Sequence, residues 1–223
     1  SGKKYESLKP EDIVFLSLTE EKDFLSWFNS GKNPSSEWRF HQDIYKNKWE
    51  AKAIVHAHSP NASAVSTHGK SIPPFHYMIA LAGGEDIRCA EYATFGTHEL
   101  SMNIVRALKD RKACLMSNHG QVAFGDNLSK AFELAQEVEN ICHQYVIALK
   151  MGEPKNLSFA EMKKILEVKD MIGKQNDTFM HNGTIYNKKI STSDANSLVD
   201  SLEKRRVNVF YLKLVANQIG IRI

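Results

Sequence analysis

The sequence lacks the features that would place the protein in a membrane or in an oxidising compartment. No apolar run approaches the ~20 residues that a membrane-spanning helix needs. No charged segment followed by an apolar one indicates a secretory signal at its start. The three cysteines stand far apart without a C-x-x-C pair, which argues against a disulfide framework. We therefore expect a cytoplasmic protein without a membrane partner.

A strong excess of charge is also missing. The formal net charge is only +3, and the basic residues are dispersed along the chain. Proteins that bind nucleic acid usually concentrate positive charge on one face or stripe. We therefore expect no nucleic-acid partner.

The length and composition are those of an ordinary globular protein. The chain has 223 residues, of which 42% are hydrophobic and 25% charged, enough for one domain with an appendage. Beyond Gly173 the sequence becomes rich in turn-forming residues, among them Asn182 and Gly183. Residues 1–173 are therefore interpreted as one domain and residues 174–223 as a C-terminal appendage.

Apolar periodicity predicts an α/β protein. Strands are expected over residues 13–18, 53–58, 113–116 and 121–124, the last two as a hairpin. Helices are expected over residues 19–29, 35–46, 97–109, 128–150 and 158–173. In the appendage, a helix is expected over residues 194–205 and a strand over residues 207–223. The predicted N-caps are Thr19, Ser35 or Ser36, Thr97, Asp126 or Asn127, and Ser158.

Two histidines lie two residues apart inside the second predicted strand. His56 and His58 stand in an apolar run, and side chains at i and i+2 of a strand point to the same face. Two imidazoles on one face form half of a metal site. The alternative is that one histidine packs in the core and the other is incidental.

Two further residues complete a candidate zinc site. His119 lies at the corner of the predicted hairpin, and Glu37 lies in the first turn of the predicted helix 35–46. Three imidazoles and one carboxylate suit Zn²⁺ and leave room for a substrate oxygen. The alternatives are an ordinary turn histidine, and an acid stabilised only by the helix dipole.

Five motifs resemble the class II aldolase and adducin family, in the family's order and spacing. They are residues 34–41 (PSSEWRFH), 56–58 (HAH), 72–80 (IPPFHYMIA), 92–100 (YATFGTHEL) and 118–120 (NHG). The resemblance covers roughly residues 1–173. In the family, a leading helix and a Gly-Asn phosphate loop precede the position that corresponds to residue 1 of this sequence. It implies a three-layer α/β/α fold around a mostly antiparallel sheet. It also implies a homotetramer with its sites at subunit interfaces.

The resemblance implies a role for each residue of the candidate site. His56, His58 and His119 become the ligands of one Zn²⁺ per subunit. Glu37 becomes a residue that both ligates the metal and acts as a base, and Tyr77 borders the substrate. The implied reaction cleaves a ketose 1-phosphate to dihydroxyacetone phosphate and an aldehyde, through an enediolate that Zn²⁺ stabilises as a Lewis acid.

The resemblance also suggests how the substrate phosphate is held. Ser35 and Ser36 match the family's phosphate contacts, and hydroxyls beside a helix start form an anion site. The alternative for both is plain N-capping. Ser1 and Gly2 match a second phosphate loop, or are the remnant of a tag.

Several alternatives remain open at this level. Ile172 lies near the place of a tail tyrosine that the family uses as an acid, and Tyr186 and Tyr211 are the alternatives considered for that role. The same metal ligands also serve pentulose-phosphate 4-epimerases and a thioribulose-phosphate dehydratase. A non-catalytic adducin-like binding module is the third interpretation, although such modules lose metal ligands that this chain retains.

Overall fold

The computed structural model describes residue 7 and residues 9–19, 34–174, 178–181 and 184–187. The chain divides into two units, Ser1–Leu166 and Glu167–Ile223. The assignment of residues 174–223 as an appendage to the family domain stays a prediction.

A four-stranded sheet forms the centre of the first unit. Its strands are β1 (Ala53–Ala57), β2 (Cys89–Ala90), β3 (Ala113–Met116) and β4 (Gly120–Gly125). Their spatial order is β1-β4-β3-β2, with β4 antiparallel to both β1 and β3, and β2 parallel to β3. The predicted α/β class and the hairpin of β3 and β4 are confirmed.

Five helices are described. They are α1 (Trp38–Asn47), α2 (Pro60–Ser66), α3 (His98–Ala107), α4 (Leu128–Met151) and α5 (Phe159–Lys174). The predicted caps of α3, α4 and α5 are confirmed, because the side chains of Thr97, Asn127 and Ser158 each accept a backbone N–H three residues ahead. None of the described helices is long and apolar enough to cross a membrane.

Helices cover both faces of the sheet. Val55, Leu115 and Ala123 point to one face, where they pack in a cluster with α2 and α4. Cys114 and Val122 point to the other face and pack in a cluster with α1 and α3. Neighbouring strand residues alternate between the clusters, as the period of two requires. The helix α2 follows β1 directly in the chain and packs against β4 and β3.

The predicted strand over residues 13–18 is wrong. A short 3-10 turn, Pro10–Asp12, precedes an irregular segment in which the Phe15 side chain is 91% exposed. An apolar run becomes a strand only where a neighbouring strand satisfies its backbone groups, and none of the described strands pairs with it. The predicted helix over residues 19–29 lies almost wholly outside the described residues.

The helix after this segment begins later than predicted. Residues 35–37 form a turn in which Trp38 N–H donates to the Ser35 carbonyl at 3.1 Å. Ser35 Oγ accepts from Glu37 N–H at 3.3 Å, so Ser35 stabilises the turn rather than capping the helix. Glu37 consequently occupies the N-cap position of α1 instead of its first turn.

Outside the four-stranded sheet, Ile72 forms a single antiparallel bridge with Ile87. Beyond α5, the region expected to be turns contains an antiparallel pair of strands, β5 (Thr178–His181) and β6 (Thr184–Asn187). The predicted helix over 194–205 and strand over 207–223 lie outside the described residues.

Candidate metal and active site

The two strand histidines meet at the end of β1. His56 is the fourth residue of the strand and His58 follows its last residue, and their Nε2 atoms are 3.0 Å apart. His56 Nδ1 lies 2.8 Å from the carbonyl oxygen of Gln121, so Nδ1 carries the proton and donates it. The Nε2 atom of His56 is then left with a lone pair, which is the state that a metal ligand needs.

The hairpin of β3 and β4 brings the third imidazole to the same place. The ring of His119 lies 5.0 Å from that of His56 and 4.7 Å from that of His58, between centroids. Asn118 supplies the left-handed backbone of the turn, with φ of 55°. At Gly120 an added Cβ would lie 2.4 Å from the Ala57 carbonyl oxygen, so only glycine lets the hairpin approach this closely.

Glu37 faces the histidines from the start of α1. Its Oε2 atom lies 3.7 Å from His56 Nε2 and 3.5 Å from His119 Nε2, and the residue is only 9% exposed. Neither carboxylate oxygen accepts a well-aligned hydrogen bond within the described part of the chain. Burial raises the pKa of Glu37, and the backbone N–H of Gly96 opposes this only in part.

Gly96 fixes the loop that covers Glu37. Its φ is +76°, and an added Cβ would lie 3.0 Å from the carbonyl oxygen of Ser36. A side chain at this position would be both strained and crowded. The loop before α3 therefore lies directly against the turn that carries Glu37.

Burial also favours the neutral form of His56 and His119. It lowers the pKa of His56 to about 4, and the neighbouring His119 and His58 lower it further, against the hydrogen bond to Gln121. Burial and His58 lower the pKa of His119 as well. Neutral imidazoles are the form that binds a metal, so the rings are ready for ligation at neutral pH.

The donor set fits a divalent cation. One ligand nitrogen from each of His56, His58 and His119 can be chosen so that all three lie within 4.8 Å of one another. Beside them, Glu37 is buried, which is costly for a carboxylate and is offset only in part by the N–H of Gly96. Three histidines with an adjacent carboxylate are ligands of the catalytic zinc type. The structure thus brings together all four residues predicted from the sequence.

The other predicted residues lie outside this cluster or outside the described residues. Ser35 is exposed and Ser36 half-buried, both in the turn before α1. Tyr77 begins a 3-10 turn, is 52% exposed, and stacks obliquely on His76 with ring centroids 4.8 Å apart. Ser1 and Gly2 are not among the described residues. The roles proposed for these residues stay predictions.

Gln121 is a participant that sequence reasoning missed. It is 1% exposed, its carbonyl orients His56, and its side-chain Nε2 donates to Ser59 Oγ at 2.8 Å and to the Ala135 carbonyl at 3.0 Å. The available signal was a polar residue in an otherwise apolar strand, directly after His119 and Gly120. Its Oε1 has no hydrogen-bond partner among the described residues, so the two bonds of Nε2 hold the buried amide in place.

The sequence matches a known family beyond these motifs. The family model described as the class II aldolase and adducin N-terminal domain matches residues 1–146. The chain belongs to the class II aldolase and adducin family, as its motifs predicted.

Named relatives extend over about three quarters of the chain. The 5-methylthioribulose-1-phosphate/5-deoxyribulose-1-phosphate aldolase of Rhodospirillum rubrum is 44% identical over 75% of this chain and 73% of its own length. The L-fuculose phosphate aldolase of Escherichia coli K12 is 45% identical over 75% of each chain. These similarities confirm the expectation of a class II aldolase, which is a lyase.

A solved structure of L-fuculose 1-phosphate aldolase is similar in fold. It is 41% identical and superposes with a TM-score of 0.60. The superposition covers 62% of this chain and 65% of that one, slightly less than two thirds of the solved chain. The shared region supports an α/β class II aldolase fold for this chain.

Proposed function

We propose that this protein is a zinc-dependent aldolase that cleaves a ketose 1-phosphate, of the L-fuculose 1-phosphate kind, to dihydroxyacetone phosphate and an aldehyde. The observation that carries the proposal is the convergence of His56, His58 and His119 beside the buried carboxylate of Glu37. The relatives named above act on L-fuculose phosphate and on 5-methylthioribulose 1-phosphate or 5-deoxyribulose 1-phosphate, which are all sugar phosphates.

The chain's own groups would hold the metal and move a proton. His56, His58, His119 and Glu37 are the ligands that the site offers. A zinc ion bound there supplies Lewis-acid stabilisation of the negative charge that develops on the substrate oxygens. Glu37 returns a proton to the carbon released by bond cleavage, and removes it again in the synthetic direction. Its raised pKa suits a group that must both gain and lose that proton.

The phosphate site is proposed at the start of α1. The exposed hydroxyl of Ser35 and the half-buried Ser36 lie immediately before this ten-residue helix. The unsatisfied N–H groups and the dipole of a helix N-terminus attract a phosphate. Ser1 and Gly2 are proposed as a second contact, by resemblance to the family.

Two other parts of the proposal concern residues outside the cluster. Tyr77 is proposed to border the substrate, and its exposure leaves its hydroxyl accessible. Tyr186 on β6 and Tyr211 are the candidates for the acid that serves the aldehyde oxygen, since Ile172 lies near the place of the family's tail tyrosine in the sequence. Replacing each tyrosine by phenylalanine and measuring cleavage identifies the acid.

The finer points of fold, assembly and location are proposed in the same way. Helices on both faces of the sheet support three layers, and two of its three strand pairings are antiparallel. The exposed aromatic side chains of Tyr92 and Phe95 support sites at the interfaces of a homotetramer. The free cysteines support a cytoplasmic location. Sedimentation analysis with metal content per subunit tests the tetramer and the one zinc ion.

Metal removal tests the proposed reaction. Exhaustive chelation should abolish the release of dihydroxyacetone phosphate from L-fuculose 1-phosphate and from 5-deoxyribulose 1-phosphate, and Zn²⁺ should restore it. The variant H119A should lose both metal and activity, while H68A, an exposed histidine outside the cluster, should keep both. Full cleavage after chelation would overturn the proposal.

Product analysis separates the other reactions of this fold. Incubation with ribulose 5-phosphate would yield the 4-epimer if the protein were an epimerase, and loss of water from a thioribulose phosphate would indicate a dehydratase. A purified chain that binds no zinc would favour the adducin-like module.

A further inference from the structure

The short helix α2 begins directly after the ligand His58. Its N-cap, Ser59, makes no side-chain hydrogen bond to the helix backbone. The carboxylate of Glu139, from the middle of α4, performs this task instead. Its Oε1 accepts from the backbone N–H of Asn61 at 2.8 Å and from Asn61 Nδ2 at 2.7 Å, and its Oε2 accepts from Ala62 N–H at 2.8 Å. A distant helix therefore fixes where α2 starts.

The serines of α2 hold the turn that carries His119. Ser63 Oγ donates to the His119 carbonyl at 3.3 Å, and Ser66 Oγ accepts from His119 N–H at 3.3 Å. The Ser66 carbonyl also accepts from Asn118 N–H at 3.2 Å. The position of α2 thus determines the position of His119 as well as that of His58.

A side branch of the same network reaches His56. The Ser59 hydroxyl bonds to the Glu139 carboxylate and accepts from Gln121 Nε2 at 2.8 Å. Gln121 in turn uses its carbonyl oxygen to orient the ring of His56. His56 and His119 are therefore linked to Glu139 through hydrogen bonds. His58 is linked to it through the chain itself, because it directly precedes Ser59.

Glu139 acts on the histidines only through these intermediates. The hydrogen bonds of its carboxylate within the described residues go to Ser59, Asn61 and Ala62. Burial by itself would raise its pKa, but the hydrogen bonds from these residues outweigh burial and lower the pKa. The group is therefore ionised at neutral pH, which suits it to the positive end of a helix.

We propose that Glu139 is a positioning residue for the metal centre, because it anchors α2 and thereby sets the separation of His58 and His119. This inference rests on the proposed function in one respect, namely that the three histidines bind a divalent metal. A ligand set that is held loosely binds metal more weakly, because the cost of ordering the rings is then met at the moment of binding.

The test compares two glutamates of the same helix in the full chain. In E139Q, one oxygen that accepts N–H groups of α2 is replaced by an amide that donates. In the matched control E133Q, the replaced carboxylate accepts hydrogen bonds from Ser129 and Lys130 of the same helix. The dissociation constant for Zn²⁺ is measured by competition with a chelator, and the absorption spectrum of the Co²⁺-loaded protein reports the ligand geometry.

We expect E139Q to weaken zinc binding about tenfold and to alter the cobalt spectrum, since partners beyond the ligands typically have effects of this size. E139D, which keeps the charge, should recover part of the affinity, and E133Q should match the unaltered chain. S59A removes the hydroxyl that joins Glu139 to Gln121 but leaves the bonds of Glu139 to Asn61 and Ala62, so it should weaken binding less. A purely structural role would lower the melting temperature and leave affinity and spectrum unchanged.

The outcomes separate this inference from the proposed reaction. If E139Q is folded and binds zinc as the unaltered chain does, the positioning role is overturned. If E139Q does not fold, unchanged affinity and spectrum in S59A overturn it. An unaltered chain that binds no metal overturns both proposals. If the unaltered chain binds zinc but cleaves no sugar phosphate, only the proposed aldolase reaction is overturned. The effect of E139Q on zinc affinity then still decides the positioning role.

Discussion

Replacing Gly120 by alanine should disturb the candidate metal site without touching any ligand. The added Cβ would lie 2.4 Å from the carbonyl oxygen of Ala57 and 3.2 Å from Cδ2 of His58. The first distance is roughly 1 Å short of an ordinary van der Waals contact, and the atom it meets is backbone rather than a flexible side chain. The hairpin and β1 must therefore move apart where His119 faces His58.

The expected size of the effect follows from that displacement. An extra methyl group in a tightly packed position costs roughly 1–3 kcal/mol of stability. For a domain of this size, each kcal/mol lowers the melting temperature by roughly 2–4 °C. A shift of about 1 Å between functional groups costs on the order of a hundredfold in rate. We therefore expect a moderately less stable protein with weakened zinc binding and a much larger loss of activity.

The assay is calorimetric melting of the metal-free protein, followed by zinc competition and initial rates of dihydroxyacetone phosphate release. The matched control is the double variant A57G/G120A, because the obstructing atom is the main-chain oxygen of Ala57, which glycine retains. The double variant should therefore be no better than G120A. Melting temperature and zinc affinity unchanged in G120A would refute the reasoning, since the close approach of the two strands would then not depend on glycine.

Two further predictions concern protons. E37Q should lower the rate of cleavage by roughly 10²–10⁴-fold, which is the range for loss of a general acid–base group. The three histidines should still bind zinc in this variant. A cleavage rate equal to that of the unaltered chain would exclude Glu37 as the residue that transfers the proton. Burial lowers the pKa of His41 to about 4. As the pH drops, the unfolded chain therefore binds a proton at this residue before the folded chain does. The free energy of unfolding should then fall between pH about 6.5 and 4, by at most about 1.4 kcal/mol per pH unit. H41Q, melted without metal across this range, should show a shallower dependence than the unaltered chain, and an identical slope would contradict the burial of a neutral imidazole.

Much of the site could be predicted because its residues carry their chemistry in short motifs. The alternation of a strand places His56 and His58 on one side, and a polar turn between two apolar strands places His119 at a hairpin corner. Caps at Thr97 and Asn127 are likewise local, because the cap and the N–H group that it satisfies lie three residues apart. Local features such as strand alternation and helix caps can be predicted from the sequence, because they depend on residues only a few positions apart.

Patterns that depend on a distant partner misled the sequence reasoning. Residues 13–18 form an apolar run of the kind that predicts a strand. None of the described strands pairs with them, and their backbone is irregular. The helix α1 begins at Trp38 rather than at the predicted Ser35, because the residues after Pro34 form a turn and not a helix cap. Whether an apolar segment finds a neighbour is decided by the whole fold.

The sequence by itself determined which groups form the candidate metal site: three imidazoles and a carboxylate, in the family's order. Only the tertiary structure decided how they are held. It showed that the Gln121 carbonyl selects the protonated nitrogen of His56, that Gly120 permits contact with β1, and that Glu139, on a helix far along the chain, anchors α2. The physical reason is that ligand chemistry belongs to single residues, whereas orientation is a property of hydrogen bonds and contacts between segments that lie 60 or more residues apart.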